Sequence, residues 1–145
     1  MLKKLSIGGY LNALAAVLGL AGTILTIVSG MVSADNPLSN AAMIAGAAFA
    51  GVVLCALAVF TPTRFGNFDL LGSVAILGAI ALYIYSFGAA VGQRVMLIAG
   101  LFSFNAGNTA GWSVFYVSVA AWVCLILACV ALIISGFTRT VKENA

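Results

Sequence analysis

Residues 92–111 read GQRVMLIAGLFSFNAGNTAG, the one long interruption in a chain that otherwise alternates hydrophobic spans with short turns. The stretch carries Arg94, an apolar run over residues 95–104, and then a flexible run of Asn, Gly and Thr. Ten apolar residues are too few to cross a bilayer, where a helix needs about 20. Apolar runs of about 10–14 residues are instead interfacial, re-entrant or packed against protein. Irregular backbone at membrane depth is tolerated only when buried in protein or lining water. This stretch has no charged ring, no repeated glycine-rich filter and no half-helix proline to build a pore loop. It therefore reads as a short apolar extracytoplasmic segment lying over the ends of a third and a fourth span. Arg94, Val95, Met96, Leu97, Phe102 and Phe104 form the candidate interaction segment, because an exposed apolar patch marks a contact site.

Outward from this stretch, the composition fixes the class. Of 145 residues, 64% are hydrophobic and only 6% charged. Soluble domains run near 25% charged, so lipid must cover most of the surface. Spans over residues 5–32, 40–60, 70–90 and 112–136 use almost the whole chain. The expectation is a single all-α membrane domain, a four-transmembrane-helix bundle. A signal peptide competes for the first span, since Val32-Ser33-Ala34 precedes Asp35 like a cleavage site. The apolar region before it is far longer than the roughly 7–15 residues of a signal peptide, which favours an uncleaved helix.

The turns carry their own signals. Pro37 biases Asn36 away from helix, and Ser39 or Asn40 is placed to cap the second helix. Thr61-Pro62-Thr63-Arg64 is read as the end of that helix, because proline lacks the N–H a continuing helix needs. Asp69 sits where its charge suits the N-terminus of the third helix, within reach of Arg64. An intramembrane carboxylate is usually functional, but a position at the end of a span favours capping over proton coupling.

Tyr83, Tyr85 and Phe87 on the third span, and Trp112, Phe115 and Tyr116 on the fourth, are read as aromatic belts at one membrane face. Lys3, Lys4, Arg64, Arg139 and Lys142 fall on one side of four spans and Arg94 alone on the other. The positive-inside rule then puts both termini in the cytoplasm and residues 92–111 outside. The compact, short-looped build suggests a bacterial plasma (inner) membrane.

Inside the spans, small residues recur at helical spacing. Gly19, Gly22 and Gly30 on the first span, and Gly46 and Gly51 on the second, are the candidate helix-packing positions, since small residues let helices approach closely. Asn12, Thr23, Thr26, Ser73, Ser86 and Ser118 are the polar residues available to line a path. A convergence of these groups on one axis would favour transport; hydrogen bonds to helix backbone would favour packing.

Catalytic equipment is not visible. The chain has no histidine, no paired carboxylates and no nucleophile or phosphate-binding motif. Cys55, Cys124 and Cys129 have no metal-ligand spacing and read as small apolar packers. No cofactor is expected, and no basic patch with interleaved aromatics suggests nucleic acid. The leading expectation is a non-catalytic accessory or scaffold subunit, with the bilayer and a membrane protein or a second copy as partners. The alternative is a small oligomeric channel or carrier for a small or uncharged solute.

Overall fold

A computed structural model describes residues 5–67 and 70–142. Among these the fold is all-helical apart from a single bridge pairing Leu5 with Val141. Its four helices are α1 (Ile7–Met31), α2 (Ala41–Phe65), α3 (Leu70–Ser103) and α4 (Thr109–Gly136), each long and apolar enough to cross a membrane. At 1.5 Å per residue, α1 and α2 are each about 37 Å long, α4 about 42 Å and α3 about 51 Å. Asp69, with Lys3 and Lys4, lies outside the described residues.

Each helix packs beside its neighbours in sequence, and α4 closes the ring against α1. Short connections between long helices force antiparallel neighbours. The backbone N–H groups of Ser6 and Gly8 donate to the carbonyls of Thr140 and Arg139, at 2.9 and 3.1 Å. This brings the two chain ends together. Asn67, in the α2–α3 turn, joins them: its side chain donates to Val141 O at 2.7 Å and accepts from Thr140 and Val141 N–H. We call this the terminal end. The α1–α2 and α3–α4 connections lie at the other, the loop end.

Small residues let the four axes come close. Ala15, Ala48, Ala58, Ala79, Ala121 and Ala128 are fully buried, and close backbone approach is what holds helices together where lipid removes the hydrophobic drive. One large side chain fills the middle. Tyr83 of α3 is completely buried and crosses the bundle to α1. Its ring lies against Gly51 of α2, where a Cβ would sit 2.7 Å from Cε1, and its hydroxyl occupies the space a Cβ on Gly19 would need. The hydroxyl reaches Ala15 O and Cys55 Sγ, each at 3.4 Å. Tyr83 is thus a core residue, not part of an interfacial belt. The correction follows from helix length: α3 continues to Ser103, so Tyr83 is near its middle instead of near its end.

Two helix ends differ from the sequence reading for one physical reason. α2 runs through Pro62 to Phe65, and α3 runs through Gly92 to Ser103. A proline inside a helix frees the carbonyl four residues earlier, here that of Ala58. Asn12 Nδ2 of α1 reaches that oxygen at 3.5 Å. Neighbouring side chains that re-satisfy freed backbone are what make proline tolerable in a membrane helix.

Candidate functional site

The stretch over residues 95–104 is neither a dipped loop nor a separate surface segment. Its first nine residues are the last turns of α3, and only Phe104 lies beyond the helix. Arg94 is the reason the helix can continue. The side chain is buried, 3% exposed, and its guanidinium donates through Nη2 to Ser29 O at 2.9 Å and through Nη1 to Asn36 O at 2.7 Å. Gln93 Nε2 donates to Ser39 O at 2.8 Å. The polar pair that reads as the edge of a membrane span is therefore absorbed by the α1–α2 connection. Arg94 is accordingly not on the exposed interaction face, and its charge is not presented outward to attract anions.

These bonds also set a level. Residues 93 and 94 lie beside the end of α1 and the start of α2. Beyond them α3 continues through residues 95–103, about 13 Å of helix. Only the first turns of α4 accompany this overhang. Leu101 is buried against Gly111, and Phe102 packs edge-to-face on Trp112 and Phe115, with centroids at 5.1 and 5.8 Å. Trp112 stacks on Tyr116 at 5.9 Å and donates from Nε1 to Ala106 O. Asn108 caps α4 by accepting from Gly111 N–H at 2.9 Å.

The hairpin still leaves much apolar surface open. Val95 is 52% exposed, Met96 83%, Phe102 66%, Phe104 88% and Tyr116 64%; Leu97 is half-buried. No charged residue occurs between Arg94 and Arg139.

Most of the polar residues proposed as a lining hydrogen-bond helix backbone. Thr23 and Thr26 donate to Gly19 O and Gly22 O of their own helix, each at 2.8 Å. Ser86 donates to Ile44 O of α2 at 3.0 Å. Asn12 accepts from the Ser135 hydroxyl in addition to reaching Ala58 O. Ser118 is buried and makes no hydrogen bond among the described residues. Ser73 lies on the rim of a cavity at the terminal end. Tyr83, Leu125 and Leu132 are fully buried in one hydrophobic cluster of the bundle.

The glycines separate in the same way. Gly19 and Gly51 receive Tyr83, a Cβ on Gly22 would sit 2.9 Å from Leu125, and one on Gly30 would sit 3.2 Å from Leu38. A Cβ on Gly46 would meet nothing within 4 Å. It faces an open lateral groove of about 450 Å³ flanked by Ile27, Ala42 and Phe49, so within this chain it packs no helix.

The Asn12–Ala58–Pro62 arrangement makes a direct prediction. Asn12→Leu strands the Ala58 carbonyl and the Ser135 hydroxyl and is expected to cost about 1–3 kcal/mol in detergent unfolding. Pro62→Ala restores an N–H for Ala58 O and should recover part of that loss in the double variant. If the two changes simply add, the assignment of Asn12 to the proline-freed carbonyl is wrong.

No protein-family model, no curated protein and no solved structure matches the chain.

Proposed function

We propose that the protein is a non-catalytic, multi-pass membrane subunit that binds another membrane protein through the α3–α4 overhang. The observation that carries this reading is the overhang itself. A hydrocarbon core of about 30 Å is already spanned when α1 and α2 end. The part of α3 after Arg94, nine residues or about 13 Å of helix, is uncharged, with Met96, Phe102 and Phe104 open to the surroundings. Apolar surface carried beyond the hydrocarbon is unfavourable unless something covers it. The placement of the polar residues agrees, because each one whose bond is described above is committed to helix backbone or to a neighbouring side chain and not to a shared path.

The asymmetry of basic residues orients the subunit with both termini in the cytoplasm and the overhang outside; a bacterial plasma membrane suits its compact, short-looped build. An accessory or scaffold role is the reading that this contact surface supports.

The test is affinity capture of the tagged protein in mild detergent, with mass spectrometry of what accompanies it. The wild type is expected to retain a stoichiometric membrane-protein partner. Met96→Asp with Phe104→Asp, two positions whose side chains touch little, should lower that capture at least tenfold without lowering the unfolding temperature. A protein that stays monomeric and partnerless would refute the reading. Clean self-association would move the weight to an oligomeric channel or carrier, to be tested by solute flux into liposomes.

A further inference from the structure

We propose that the cavity at the terminal end, between α3 and α4, is a binding site for the phosphate-bearing headgroup of a membrane lipid from the leaflet on that side. The cavity encloses about 270 Å³, the liquid volume of roughly nine waters at ~30 Å³ each. It is too small for a whole lipid and large enough for a headgroup.

Its polarity is graded along the bundle axis. Ser73 sits on the first turn of α3, and Thr138 and Arg139 just past the end of α4, so the polar lining lies at the helix ends. Ile76 and Leu77, a turn further into the hydrocarbon, form the apolar part, and Leu77 is 67% exposed on the rim. A lipid entering sideways would lay an acyl chain over Leu77 and bring its phosphate to the Arg139 guanidinium, since the Thr138 hydroxyl already donates to Ser135 O at 3.1 Å. An arginine carries five N–H donors in a fork that matches phosphate oxygens, so a contact elsewhere leaves donors for a ligand. The roof is built: Asn67 fixes the Thr140–Val141 backbone over the site with three hydrogen bonds. This end also carries Arg64 and Lys142, and basic pockets between membrane helices on the cytoplasmic side select anionic headgroups. The cavity and the overhang lie at opposite ends of the bundle, so this proposal stands independently of the partner.

The experiment is native mass spectrometry of the full chain in detergent, titrated with short-chain phosphatidylglycerol, with phosphatidylcholine of the same chains, and with inorganic phosphate. One phosphatidylglycerol per chain should be retained, with phosphatidylcholine bound at least fivefold more weakly. Gly136→Leu fills the cavity from a position where a Cβ meets nothing within 4 Å, and should lower retention at least tenfold. Arg139→Gln, at an exposed position, should lower it about fivefold and reduce the preference for the anionic lipid, with Arg139→Lys recovering part of the loss. Gly46→Leu, which fills the lateral groove instead, should leave retention unchanged. Equal retention by Gly136→Leu and wild type, or equal loss in Gly136→Leu and Gly46→Leu, would overturn the site. Binding of inorganic phosphate as tight as that of the lipid would overturn the lipid as its ligand.

Discussion

Tyr83→Ala is expected to be the most destabilising single truncation in the chain, at about 3–5 kcal/mol, the range for removing a fully buried aromatic ring. The ring bridges α3, α2 and α1, lying against Gly51 and Gly19 and reaching Ala15 O, so its removal opens a cavity between three helices. Tyr83→Phe keeps the ring and loses only long contacts to Ala15 O and Cys55 Sγ, so it should cost about 1 kcal/mol. The glycines that receive the ring give the sharper test. Alanine is the better helix former by about 1 kcal/mol, so Gly19→Ala on an open helix face would stabilise. Here the new methyl overlaps the Tyr83 hydroxyl, and the overpacking should reverse the sign by about 1–3 kcal/mol. In a Tyr83→Ala background the same Gly19→Ala change should become neutral or favourable. The measurement is a double-mutant cycle by detergent-induced unfolding, with an expected coupling of about 2 kcal/mol between two residues in contact. Additive effects would mean that the ring does not occupy the Gly19 surface.

Gly46 is the internal control for that argument. It has the same small-residue spacing in sequence as the others, yet faces the open groove. Gly46→Ala should gain the helix-propensity term without a clash.

The comparison of these glycines shows where the sequence is informative and where it stops. Spans of about 20 apolar residues with almost no charge leave only a membrane bundle, and the short turns leave only antiparallel neighbours. Small-residue stripes mark where helices can approach, but one-dimensional spacing does not say which face a helix turns inward. The ends of α2 and α3 are illegible for a related reason. Pro62 and the Gln93-Arg94 pair both look like stops, since each leaves a polar group unsatisfied in a lone helix. Each is satisfied by another segment: Asn12 lies 46 residues from Ala58, and Arg94 lies 58 and 65 residues from its two carbonyls. No local pattern encodes such a pairing. The misplaced end of α3 then carries Tyr83 to the wrong depth, so one missed long-range hydrogen-bond set accounts for both the helix end and the tyrosine.

Arg94→Leu is expected to cost about 3 kcal/mol and to loosen the loop end, because hydrogen bonds to a charged donor contribute about 1.5–3 kcal/mol each and a stranded buried carbonyl costs about 1–3 kcal/mol. The Ser29 carbonyl belongs to the last turn of α1, where helix carbonyls lack partners within the helix and carry partial negative charge. The guanidinium satisfies it together with Asn36 O. Against this stands the cost of burying the charge itself, which keeps the expected loss near that of one bond and not two. Lysine has a single ammonium and no planar fork to reach two carbonyls on different segments, so Arg94→Lys should recover less than half. The local readout is thiol labelling of Ser33→Cys, a buried position in the same connection. Labelling should be slow while Arg94 is present and faster by a factor on the order of ten once Arg94→Leu is added, the ratio that about 1.4 kcal/mol of opening free energy gives. Unchanged labelling and stability would show that the connection holds without the arginine. The neighbouring turn should behave in the opposite way. Met96→Asp and Phe104→Asp should spare stability and abolish partner capture, while Arg94→Lys should lower stability with capture retained at temperatures where the bundle is folded. Two adjacent turns of one helix thus separate what anchors the overhang from what the overhang presents.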